Sequence, residues 1–130
     1  MIILTIKTDQ PEAEVGLYEN AKNLGYQKWL AHRELSVTIH QKIRSLLNDQ
    51  NKDWQDIKAV VVYKGPGSFT GLRIGFSVGN ALAYGNGIPI VSAKGKDWID
   101  QGISKLENGT NDKIATPDYG APAKTTKPRK

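Results

Sequence analysis

The junction at which the apolar run Ala59-Val60-Val61-Val62-Tyr63 gives way to Gly65-Pro66-Gly67-Ser68-Phe69-Thr70-Gly71-Leu72-Arg73-Ile74-Gly75 restricts the fold of this chain more than any other feature. A β-branched run of this kind is an interior strand, the glycines and proline cannot continue it, and the residues beyond suit a helix. A strand that turns directly into a helix commits the chain to an α/β class. The turn also gathers free backbone N–H groups at a helix N-terminus, which suits an anion or a closely approaching partner. Gly65, Pro66, Gly67, Ser68, Phe69, Thr70, Gly71 and Arg73 are therefore the first candidates for function.

Around this junction the hydrophobic period changes once. Ile2–Ile6 and Glu14–Glu19 read as strands, Asn20–Gly25 supplies turn residues, and Tyr26–Arg33 reads as a third strand, giving an antiparallel meander. From Ser36, a candidate N-cap, Ile39, Ile43, Leu46 and Leu47 recur at helical spacing as far as Asn48. Asp49–Asp56 is a polar connection that Trp54 anchors. A second helix over about Thr70–Tyr84 is closed by Gly85-Asn86-Gly87. Ile88–Ser92 is a short strand, and Asp97–Leu106 a third helix with Trp98, Ile99, Ile103 and Leu106 on its apolar positions. Three strands followed by α-β-α-β-α is the order of a ribonuclease-H-like single lobe with a mixed sheet; other α/β topologies share the pattern.

The lobe is expected over residues 1–107, with a flexible basic tail rich in Pro, Lys and Thr over 108–130. Beyond Gly109, with Pro117, Pro122 and Pro128 and little apolar spacing, the chain cannot bury enough surface to offset its ordering entropy, so loose draping is expected, with Pro117-Asp118-Tyr119 as the contact. The net charge of +5 has the same origin: Lys124, Lys127, Arg129 and Lys130 leave 14 basic against 13 acidic residues in the remainder. With no cysteine, there is no disulfide, thiolate metal site or thiol nucleophile. Met1–Ile6 is too short for a signal segment and no run approaches the roughly 20 apolar residues of a membrane span, so a cytoplasmic, membrane-free protein is expected.

Three chemical readings of the glycine segment fail on its residues. A phosphate-binding P-loop needs Gly-Lys-Ser/Thr where this chain has Gly71-Leu72-Arg73. A dinucleotide fingerprint needs a third glycine where Thr70 stands. A Ser68 nucleophile needs a base, and His32 and His40 are the only histidines, the latter on the polar face of the first helix. The helix after the segment has its own peculiarity. Gly75, Gly79 and Ala83 make a bare stripe, Ile74, Val78, Ala81 and Leu82 an apolar one, and Leu72 and Phe76 flank the bare stripe on its other side. Interior glycines cost about 1 kcal/mol each, so a packing reason is required. Either the lobe's own core or another subunit meets this helix on more than one side.

The full run Gly65–Gly75, preceded by an Ala-Val-rich strand and followed by Ala81-Leu82-Ala83 and Ile88-Pro89-Ile90-Val91, closely resembles the bacterial TsaB (YeaZ) family of glycoprotease-like, or Gcp-like, proteins. In element order the resemblance covers roughly residues 1 to 106. It implies a fold of the actin, sugar-kinase and heat-shock-chaperone superfamily and a non-enzymatic role: activating a TsaD-type catalytic subunit that, with a TsaE-type ATPase, forms N6-threonylcarbamoyladenosine at position 37 of tRNA. It further implies that the first two helices pack against the matching pair of TsaD, or of a second copy in a homodimer. Carried over, the interface residues are Ile39, Ile43, Leu47, Leu72, Gly75, Phe76, Gly79 and Ala83. No catalytic residue and no metal is implied, tRNA is met indirectly, and the one cofactor left open is ATP or ADP at a subunit interface.

Departures from the family pattern point the same way. Where the family's first strand ends Ile-Asp-Thr-Ser, this chain has Ile6-Lys7-Thr8-Asp9, and lysine cannot ligate magnesium. Only His40 lies where the catalytic subunit carries paired metal-binding histidines. Family members carry a second lobe, which the residues after the third helix are too few to form, so a shortened member is expected; Thr116-Pro117-Asp118-Tyr119 faintly resembles a Pro-x-Tyr near the family's C-terminus. Two other functions are compatible with the residues: a small nucleotide- or anion-binding module using Gly67, Ser68, Thr70 and Arg73, and a tRNA-contacting accessory protein using its basic tail.

Overall fold

The computed structural model describes residues 1–118. Strands β1 (Ile2–Lys7), β2 (Glu12–Glu19) and β3 (Lys22–Leu30) form the meander, followed by helix α1 (Leu35–Asp49), strand β4 (Ile57–Tyr63), helix α2 (Phe69–Asn86), strand β5 (Ile90–Ala93) and helix α3 (Trp98–Glu107). The sheet order is β3-β2-β1-β4-β5. β1 pairs antiparallel with β2 and parallel with β4, and β4 pairs parallel with β5. This is the ribonuclease-H-like α/β lobe that the element order predicts.

Alternation along the central strands sorts the core into two layers. Leu4, Ile6, Val60 and Val62 point to the side covered by α1 and α2. Ile3, Ala59, Val61 and Val91 point to the side covered by α3, where Trp98, Ile103 and Leu106 meet them. Strands buried on both faces read as near-continuous apolar runs, as Ile2–Ile6 and Ala59–Val62 do. Full burial of each Ile, Leu or Val contributes about 1.5–3 kcal/mol, so the central strands hold the lobe together.

Local differences from the sequence reading have local causes. The hairpin turn is only Asn20-Ala21, because Asn20 takes up the left-handed conformation (φ 53°) that a tight turn needs, and Lys22–Gly25 continues as strand. Ser36 is not the N-cap of α1; Glu34 holds that position without a side-chain hydrogen bond. Gly85 stays inside α2, and Gly87 (φ 64°) ends it. Trp54 heads a short 3-10 turn closed by a reciprocal Asp53/Asp56 capping box.

Between residues 110 and 118, where loose draping is expected, the chain is stitched to the lobe. Asp112 donates its N–H to the Ile90 carbonyl at 2.9 Å, and the Ile90 N–H donates to Asn111 Oδ1 at 3.2 Å. The Asn80 side chain donates to the Ala115 carbonyl and accepts from its N–H, at 3.0 and 2.8 Å. The Asp118 N–H reaches the Lys64 carbonyl at 2.8 Å. The charged part of the tail, with Lys124, Lys127, Arg129 and Lys130, lies outside the described residues, as do Tyr119, Pro122 and Pro128.

Candidate functional site

The glycine segment grips the end of β1. Ser68 caps α2, its Oγ accepting from the Gly71 N–H at 3.2 Å, while its own N–H donates to the Asp9 carbonyl at 2.9 Å. A side chain at Gly67 would run into Asp9, one at Gly71 into the Thr8 carbonyl, and one at Gly75 into the Thr8 hydroxyl. The glycines are there so that backbone can lie on backbone. Asp9, only 5% exposed, is held by Lys7 Nζ at 2.6 Å, and the same ammonium lies 4.5 Å from the centre of the Tyr63 ring. Lys7 thus neutralises the Asp9 carboxylate at the end of β1. No group of three or more metal-ligating side chains occurs among the described residues.

Arg73 turns outward and stacks on Phe69, its guanidinium carbon 5.4 Å from the ring centre. It takes part in neither of the two ion pairs among the described residues, Lys7–Asp9 and Lys94–Asp118. His40 lies beside Trp54, ring centres 6.3 Å apart, with no hydrogen bond to Ser68 among the described residues. His32 stands in the 3-10 turn that precedes α1.

The eight residues carried over as an interface all face the lobe's own interior. Ile39, Ile43, Leu47, Leu72, Phe76 and Ala83 are buried in the layer beneath α1 and α2. Gly75 abuts Thr8, and Gly79 lies against Val62 and Ile90, where an added Cβ would come within 2.9 Å. The bare stripe lets α2 sit close on its own sheet. It is not a surface for a partner, and the packing reason that the glycines require lies inside the lobe.

What α1 and α2 present outward is the seam between them. Three connected depressions run along it, from Pro11 and Ser68 past Ser36, Thr70 and Arg73 to Trp54 and Asn86. The largest has a volume of about 470 Å³; His40 and Trp54 wall it on one side, Ser77, Val78, Ala81 and Leu82 on the other. The apolar stripe Ile74, Val78, Ala81, Leu82 forms the floor. Nearby Val37 (60% exposed) and Tyr84 (91%) are open to solvent. The sequence marks this stripe as apolar without showing that it floors a groove; Trp54, expected to anchor the Asp49–Asp56 connection, and His40 and Ser77 line that groove as well, a placement that no local pattern records.

On the opposite side of the sheet, Tyr26 donates to Glu14 Oε1 at 2.7 Å. Burial and then that carboxylate push the Tyr26 hydroxyl well above the ordinary tyrosine range. Burial also raises Tyr18, helped by Asp100 and Glu14.

The lobe with its glycine segment defines a class: a ribonuclease-H-like α/β domain whose glycine turn closes over the Lys7–Asp9 pair at the end of β1. The family model described as TsaD, tRNA N6-adenosine threonylcarbamoyltransferase, matches residues 25–94. Over 90 residues the chain is 36% identical to the tRNA threonylcarbamoyladenosine biosynthesis protein TsaB of Bacillus subtilis, covering 69% of this chain and 39% of that protein. Over 111 residues it is 30% identical to TsaB of Escherichia coli, covering 85% and 47% respectively. The solved structure of YeaZ from Pseudomonas aeruginosa superposes with a TM-score of 0.68 at 23% identity, over 83% of this chain and 50% of that one. The chain belongs to the Gcp-like family, as a TsaB/YeaZ-type member. It spans less than half the length of these curated relatives.

Proposed function

We propose that this chain is a non-catalytic scaffold subunit in the formation of N6-threonylcarbamoyladenosine on tRNA, and that it docks a TsaD-type catalytic subunit along the outer seam of α1 and α2. The observation that carries this is the seam itself. Its floor, with Ala81 exposed, Ile74 and Leu82 half-buried and Val78 at its base, and its half-buried Trp54 wall are apolar groups that the lobe's own core covers only in part, and such grooves take amphipathic helices. The non-catalytic reading rests on Lys7, whose ammonium sits on Asp9 where a metal would need oxygen ligands. A nucleotide phosphate at the glycine segment is disfavoured, since Ser68 Oγ already takes the Gly71 N–H and Asp9 lies beneath the turn. A TsaE-type ATPase and the cytoplasmic setting follow from the same reading; no helix among the described residues is long and apolar enough to cross a membrane.

Co-purification with the TsaD-type protein from the same genome tests this. Wild type is expected to retain it, and Ala81→Arg, a substitution at an exposed position of α2, to release it while keeping the wild-type circular dichroism spectrum. Retention of the partner by Ala81→Arg, or no association by wild type, removes the docking face. Titration calorimetry with millimolar ATP and ADP is expected to show no heat.

A further inference from the structure

Building on the partner reading above, we infer that the seam selects a helix bearing a carboxylate opposite Arg73, and that a second copy of this chain is the poorer occupant. Across all three depressions the ionisable lining side chains among the described residues are His40 and Arg73, with no Asp or Glu. Arg73 is exposed, held in place by Phe69, and has no carboxylate among the described ion pairs. It lies in the first turns of α2, where the helix dipole adds positive potential. At the other end Arg44 lies 5.8 Å from the centre of the Trp54 ring. Asp53 and Asp56, which flank Trp54 in the chain, cap their own turn, each accepting an N–H at 2.8 Å. A planar guanidinium fixed beside an apolar floor is built for a bidentate carboxylate. Two copies meeting seam to seam bring two Arg73 side chains and no lining carboxylate, so the same feature that welcomes an acidic helix works against self-pairing.

The test uses the full chain and the TsaD-type protein as probe, with affinity followed by titration calorimetry between about 50 and 500 mM salt. Wild type is expected to weaken as salt rises. Arg73→Lys, which keeps the charge but gives up the planar fork and the contact with Phe69, is expected to weaken binding while keeping the salt dependence, Arg73→Met to lose affinity and most of the salt dependence, and Arg73→Glu to bind about tenfold or more weakly than wild type. Sedimentation of the chain alone is expected to show self-association weaker than association with the probe, and strengthened in Arg73→Met, which removes the like charges. If Arg73→Glu matches wild type in affinity and salt dependence while Ala81→Arg abolishes binding, charge selection is wrong and the docking face stands. If wild type does not bind the probe, both readings fall.

Discussion

Helix α2 has two faces that contrast more sharply than any two elements of the lobe. The inner one is Gly71, Gly75, Gly79 and Ala83, pressed onto Thr8, Val62 and Ile90. The outer one carries Arg73, Ser77, Ala81 and Tyr84, all exposed. Small residues on the inner face serve closeness, allowing a long helix to lie directly on a sheet whose own side chains are large. On the outer face smallness at Ser77 and Ala81 does the reverse and leaves room. The same residue sizes therefore mean opposite things, and the tertiary partner decides which.

Substitutions on the two faces should separate accordingly. Gly79→Leu, which drives a branched side chain into Val62 and Ile90, is expected to cost about 3 kcal/mol or more by urea unfolding. If it leaves stability intact, the inner face is not packed as described. Lys7→Met leaves the buried Asp9 carboxylate without its cation and should cost about 2 kcal/mol, loosening the turn that Asp9 anchors. Amide exchange at Ser68, whose N–H is bound by Asp9, is the local readout. Thr8→Val removes a buried hydroxyl beneath Gly75 that has no hydrogen-bond partner among the described residues, and is expected to be neutral or stabilising by up to about 1 kcal/mol. A large loss there would show that the hydroxyl is satisfied. Ala81→Arg, on the outer face, should change stability by no more than about 0.5 kcal/mol and act only on partner binding.

How far the sequence could be read follows from where the information lies. The strand-turn-helix junction, the amphipathic period of α1 and the alternation of the central strands are local patterns, and each appears in the fold within a few residues of its expected limits. Lys22–Gly25 was hidden because Asn23 and Gly25 resemble turn residues, whereas Gly25 is a strand position facing Leu46. The interior direction of α2 was hidden for a different reason: a helix with small residues on one stripe and apolar ones on another gives no sign of which stripe meets the sheet. The stitching of residues 110–118 depends on Asn80, Asn111 and backbone groups, and no hydropathy pattern records such bonds.

That stitched segment has one more consequence. β5 is the last strand of the sheet, and a bare edge strand offers its N–H and C=O groups to any other chain. Asn111 and Asp112 occupy both polar groups of Ile90, and Ala115 buries itself nearby against α2. Residues 110–118 thus act as an edge guard. A chain cut after Glu107 would keep every helix and strand of the lobe yet present an open β-edge, and its failing would be aggregation rather than unfolding.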